Sequence, residues 1–141
     1  RVLRDERDRS FAGVCPFHGD CLEGLASGTA ILERYGAPLD ALPPGREAAE
    51  LIGHYLGQLA ANVMLTLSAE RIVFGGGVMR CEELLPFIRD SASRVLNGYP
   101  SVGAEAASLE RVIVAPGLGE RSGLAGAILL AEAASARAGR S

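Results

Sequence analysis

Lysine and tryptophan are both missing from this 141-residue chain, and all 14 of its basic residues are arginines. Without lysine there is no P-loop of the GxxxxGK[ST] type, whose phosphate chemistry needs that ammonium. Aromatic residues are scarce at 5% while 48% of the chain is hydrophobic, so the interior is aliphatic and the composition excludes disorder. No apolar run reaches bilayer length and no signal peptide is visible, which reads as a soluble, cytoplasmic protein without a membrane partner. Basic excess is missing as well: a net charge of -3 gives no electrostatic reason to bind nucleic acid. Cysteine occurs three times, an odd count that speaks against a disulfide framework. The chain opens without methionine on Arg1-Val2-Leu3-Arg4, which reads as a short strand already under way, so a fragment of a longer protein is expected.

The few metal-type ligands are concentrated. Cys15-Pro16-Phe17-His18-Gly19-Asp20-Cys21 holds two of the three cysteines and one of the two histidines, at i, i+3 and i+6. Thiolate and imidazole are the donors zinc prefers, and a short loop carrying several of them is a common way to build its shell. Rigid Pro16 and flexible Gly19 suit a tight chelating turn. A closed structural site takes four donors, so the fourth position is either open or filled from elsewhere. Cys81 stands far off in sequence and reads as a bystander.

Apolar periodicity predicts helices over residues 22–35, with Gly36 as the stop, over 46–67, over 83–96 with Pro86 in the first turn, and over 122–137. Asp20 and Glu23 have the spacing of a capping box for the first of these. On the 46–67 helix Ile52, Tyr55, Leu56, Leu59, Val63, Met64 and Leu67 define the expected buried face, with His54 off its centre as a partly exposed residue. Residues 40–45, with a Pro-Pro pair, read as a connector. Arg71-Ile72-Val73-Phe74 and Val112-Ile113-Val114-Ala115 read as strands, each running into a glycine turn and then a helix. That alternation predicts a parallel α/β layer.

The first glycine turn, Gly75-Gly76-Gly77-Val78, follows its strand as a nucleotide-contacting turn does, but Arg80 takes the place of the third glycine of GxGxxG. From spacing alone, nucleotide contact and a plain tight turn stand level. Glu23, just after Cys21, sits where a carboxylate could accept hydrogen bonds from substrate hydroxyls, although spacing alone favours capping.

Taken together, Cys15 to Gly28, Leu65 to Met79, Leu84 to Pro86, Leu96 to Tyr99, Ala115 to Gly119 and Gly123 to Ala127 resemble the ROK family of sugar kinases, in its zinc-containing bacterial fructokinase branch. Other ROK kinases and the ROK repressors carry a C-x-C-x4-C loop instead. The resemblance implies the RNase H-like C-terminal lobe of the actin/hexokinase-like (ASKHA) fold. Residues 1–21 would then be a strand end plus the zinc-binding loop, and 22–141 the α/β lobe, with the N-terminal catalytic lobe missing. It further implies structural Zn²⁺ on Cys15, His18 and Cys21, a fourth ligand from a histidine upstream of Arg1, and contact of Glu23 with sugar hydroxyls. Gly75, Gly76, Gly77 and Val78 would line the adenosine side of ATP, which arrives with Mg²⁺. The implied activity is ATP-dependent phosphorylation of a hexose, D-fructose to fructose 6-phosphate, by a cytoplasmic homodimer. No catalytic aspartate lies in this chain, which alone is expected to be inactive. Two other readings are a sugar-sensing ROK repressor domain, against which the CPFHGDC loop speaks, and a non-catalytic zinc module.

Overall fold

The computed structural model describes residues 1–43, 46–98 and 107–138. Its elements run α1 (Leu22–Ala26), α2 (Gly28–Tyr35), α3 (Arg46–Leu67), β1 (Ile72–Val73), α4 (Leu84–Leu96), α5 (Ala107–Val112), β2 (Ile113–Val114) and α6 (Ser122–Ala138). The expected parallel layer is present in small form: β1 pairs with β2 in parallel, Ile72 against Ile113 and Val73 against Val114. Phe74 N–H donates to the Val114 carbonyl at 2.9 Å and extends the ladder by one bond. Helix α5 was not foreseen, and the segment just before it lies outside the described residues, as do Pro44 and Gly45 of the connector.

The core is the seam between α3 and α4, and small residues make it. A Cβ on Gly53 would come 2.4 Å from Phe87 Cβ, and one on Gly57 would come 2.4 Å from Ser91 Cβ and 2.7 Å from the Ile88 carbonyl oxygen. The helices therefore meet backbone against side-chain base at Gly53 and Gly57, one turn apart on α3. Ser91 Oγ closes the contact by donating to the His54 carbonyl at 3.0 Å. Around the seam Ile52, Tyr55, Leu84, Ile88 and Ala92 are fully buried. The predicted α3 face holds at Ile52, Tyr55 and Met64, but Leu67 is 73% exposed, while Ala60 and Ala61 are buried. The buried stripe thus keeps Ile52, Tyr55 and Met64 and takes in Gly53, Gly57, Ala60 and Ala61 beside them, with Leu56, Leu59 and Val63 half-buried at its edge.

A second anchor is polar. Asp8, buried, accepts from Arg34 Nε at 2.9 Å, from Arg34 Nη2 at 3.0 Å and from the Tyr55 hydroxyl at 2.8 Å. Arg34 also donates to the Leu25 carbonyl at 3.0 Å and stacks over Phe11, 4.0 Å from the ring centroid. Arg4 donates to the backbone carbonyls of Asp8 and Phe11. Burial, and then the bond to Asp8, push the Tyr55 hydroxyl up to about 12. One carboxylate so joins the N-terminal segment to α2 and α3.

Two local expectations are corrected. Residues 1–4 form no strand: the side-chain amide of Gln58 takes both backbone groups of Leu3, accepting from its N–H at 2.6 Å and donating to its carbonyl at 2.9 Å. A side chain fills the place of a strand neighbour there. The helix expected over 22–35 is broken at Ser27, whose extended backbone (ψ 163°) ends α1 and whose Oγ accepts from Ala30 N–H to cap α2. Gly36, in the left-handed region at φ 74°, ends α2 as expected. His54 is half-buried on α3, with its Nε2 3.2 Å from the Leu3 carbonyl oxygen.

Alanine is the better helix former, by about 1 kcal/mol over glycine, yet Gly57→Ala meets a carbonyl that cannot move without α4. We expect that variant to be less stable by about 1–3 kcal/mol net in urea unfolding. Asp8→Asn leaves the Arg34 guanidinium buried without a counter-charge and is expected to cost about 3–5 kcal/mol. Replacing Asp8 and Arg34 together by apolar residues should cost less than Asp8→Asn alone, which a urea-unfolding series on the three variants checks.

Candidate functional site

The cysteine loop closes on itself before any metal is considered. Cys15 and Gly19 exchange backbone hydrogen bonds, N–H to carbonyl at 3.2 Å and at 2.9 Å, so that Pro16, Phe17 and His18 form the tip of a tight turn. Two glycines grip its base. A Cβ on Gly24 would lie 1.8 Å from the Gly19 carbonyl oxygen and one on Gly13 would lie 2.2 Å from it. Val14 N–H donates to the Gly24 carbonyl at 3.0 Å, tying the loop to the first turn of α1. Nothing in the spacing of Gly13 and Gly24 marked them; their role comes from close backbone approach.

Within this turn the ligand atoms of Cys15, His18 and Cys21 all lie within 4.8 Å of one another, and Cys15 Sγ is 3.7 Å from His18 Nδ1. A tetrahedral zinc with bonds of about 2.3 Å to sulfur and about 2.0 Å to nitrogen spaces its donors about 3.5–3.8 Å apart. The three residues fit such an ion with little rearrangement. The Cys15 thiol is drawn down to about 7, first by the backbone N–H groups of Phe17 and His18 and then by Cys21 and the His18 side chain. A thiol so placed is partly ionised at neutral pH, the form that binds metal. Among the described residues no fourth His, Cys, Asp or Glu joins the cluster.

The expected capping box does not form. Cys21 itself occupies the N-cap of α1 without a side-chain bond, and the Asp20 carboxylate instead accepts from Arg1 Nη1 at 2.7 Å and lies 3.8 Å from Arg4 Nη1. Glu23, in the first turn of α1, is exposed; its carbonyl accepts from Ser27 N–H at 3.3 Å, while its carboxylate makes no hydrogen bond or ion pair among the described residues. Its carboxylate is therefore left as an acceptor, on the helix turn that follows the metal-type cluster.

The glycine turns build a separate cleft. Gly75, Gly76 and Gly77 follow β1, Pro116 and Gly119 follow β2, and together with the start of α6 they enclose about 430 Å³. Gly76 needs its glycine, at φ 95°. Gly77 and Gly123 do not by conformation, and a Cβ on either meets nothing within 4 Å, so the space in front of both is open to a ligand. Ligands of parallel α/β sheets collect at this end of the strands. Val78 is not on the cleft wall; it packs against the core. Arg80 and Glu120 face each other across the mouth, 2.6 Å apart, a pairing with no signal in sequence. Cys81 is half-buried with its thiol pushed up by burial, at the edge of a different cleft with Asp40 and Glu83. No helix among the described residues is long and apolar enough to cross a membrane.

Comparison with known proteins gives a consistent result. The chain is 44% identical over 134 residues to a fructokinase of Zymomonas mobilis subsp. mobilis, 39% over 124 residues to a fructokinase of Pediococcus pentosaceus and 34% over 128 residues to a fructokinase of Streptococcus mutans serotype c. Those alignments take in 94%, 88% and 90% of this chain but 43%, 42% and 42% of the relatives, so the chain spans less than half the length of the curated relatives it matches. Residues 4–134 match the ROK family, a span that includes the cysteine loop, the α3–α4 seam and both glycine turns, and the chain belongs to that family.

Proposed function

We propose that this chain is the C-terminal part of an ATP-dependent hexose kinase that converts D-fructose to fructose 6-phosphate. The observation that carries the reading is the 34–44% identity to fructokinases across nearly the whole chain. The local structure supports it, because Glu23 is exposed in the first turn of α1, two residues after the Cys21 that ends the Cys15–His18–Cys21 cluster.

In this reading Glu23 accepts hydrogen bonds from the hydroxyls of the sugar and fixes its orientation. Zn²⁺ on Cys15, His18 and Cys21, with a fourth donor from outside these residues, cross-links the loop and takes no part in phosphoryl transfer. The glycine cleft takes the adenosine side of ATP, whose Mg²⁺ comes with the phosphates. Transfer in line requires a carboxylate to take the proton of the attacking sugar hydroxyl as the γ-phosphate leaves ADP. That base is assigned to no residue of this chain, so the chain by itself is expected to be inactive. Leu124, Leu129 and Leu130 on α6 are 66%, 64% and 74% exposed, and a second copy in a homodimer, or the remaining length of the protein, would cover them.

The full-length protein is expected to consume ATP in a fructose-dependent manner, and the Glu23→Ala variant should lose about tenfold or more in kcat/KM for the sugar while the KM for ATP holds. Steady-state kinetics test both; ATP consumption that does not depend on a hexose, or an unchanged kcat/KM for the sugar in the variant, contradicts the reading. For the metal, Cys21→Ser and Gly24→Ala should each lower zinc content, the first by removing a donor and the second by forcing Gly19 out of the turn. Elemental analysis and thermal unfolding read this out, with a lower Tm expected in step with zinc loss. Zinc loss that leaves Tm and sugar KM unmoved would show that the ion does not anchor the loop.

A further inference from the structure

We propose that Glu120, held in place by Arg80, is the acceptor for the ribose hydroxyls of the nucleotide in the glycine cleft; this rests on the nucleotide reading of that cleft given above. Arg80 ends the turn after β1 (Gly77–Arg80) and Glu120 lies in the turn after β2 (Gly119–Arg121), 40 residues further along. Both line the same cleft, one from each wall. Arg80 Nε donates to Glu120 Oε1 at 2.6 Å, while Glu120 Oε2 makes no hydrogen bond among the described residues.

The pair is of little use to the fold. Its side chains are 60% and 74% exposed, and an ion pair so wet stabilises a protein very little. Its effect falls on the cleft. A carboxylate is acceptor-only, so a ligand that satisfies Oε2 must bring O–H or N–H donors. A second anion is disfavoured beside Oε2, because a phosphate there would lie against the Glu120 carboxylate. The cleft walls are otherwise glycine, alanine, proline and methionine, with the Ser122 hydroxyl turned back to the Gly119 carbonyl at 2.8 Å. Glu120 is therefore the acceptor available to the neutral part of a nucleotide, where the paired hydroxyls of ribose are the donors within a sugar ring. Arg80 is a positioning residue for this contact: its Nε holds the carboxylate from the opposite wall of the cleft.

Calorimetric titration of the full-length protein with ADP and with 2′,3′-dideoxy-ADP tests this. The wild type should bind ADP about tenfold more tightly than the dideoxy compound, the scale of a lost charge-assisted hydrogen bond. Glu120→Ala should weaken ADP by about the same factor and leave the dideoxy compound within about twofold, so that the difference disappears. Arg80→Gln should narrow the difference without abolishing it, and Glu120→Gln should retain part of it. Equal weakening of both compounds by Glu120→Ala, or a difference that survives it, overturns the proposal while leaving the nucleotide reading in place. Absence of ADP binding by the wild type, or ADP binding unchanged by Gly77→Val, overturns the nucleotide reading and this proposal with it.

Discussion

The Asp8 carboxylate decides where the N-terminal segment lies, and the position of the cysteine loop follows from that. It accepts two bonds from Arg34 on α2 and one from Tyr55 on α3, all inside the protein. Burying a carboxylate and a guanidinium costs several kcal/mol for each ion, offset only when the geometry is good and the remaining donors are used. Here the fork of Arg34 meets the carboxylate edge-on, and its Nη2 also reaches the Leu25 carbonyl. Such a network adds less to stability than to uniqueness of placement. It allows the segment one seat, and Gln58 and Arg4 then fix the backbone on either side.

From that seat the chain enters the loop at Gly13, and the loop is closed by backbone contact, with side-chain packing secondary. Gly13, Gly19 and Gly24 approach so closely that no methyl group fits between them. The three ligand atoms gather as a consequence of that closure. The glycine cleft depends on a different part of the molecule: the α3–α4 seam carries the two short parallel strands, and the turns at their ends form its walls. Membership of the ROK family carries the actin/hexokinase-like fold with it, and the structure is mixed helical with a small parallel sheet.

Much of this was legible in the sequence, for physical reasons that differ from element to element. The long helices, the order strand–glycine turn–helix and the parallel pairing follow from periodicity and from glycine placement, which are local signals. The clustering of Cys15, His18 and Cys21 was legible because all three sit on one short turn. What escaped depends on contacts distant in sequence. Asp8, Arg34 and Tyr55 look like two surface charges and a core aromatic until the fold brings them together. Gly53 and Gly57 carry no signal in the apolar periodicity, and only the approach of Phe87 and Ser91 shows why they are there. The strand expected at Arg1–Arg4 failed because Gln58, from a helix, takes the backbone groups a neighbouring strand would have used. The capping box at Asp20 failed because Arg1 and Arg4 compete for the same carboxylate.

The most direct measurement is a crystal structure of the full-length protein with zinc, ADP and fructose bound. Zinc is expected on Cys15, His18 and Cys21, sugar hydroxyls on the Glu23 carboxylate, and the adenosine of ADP between the Gly75–Gly77 turn and the Pro116–Gly119 turn. Nucleotide bound away from those turns, or a sugar that does not touch Glu23, would contradict this placement.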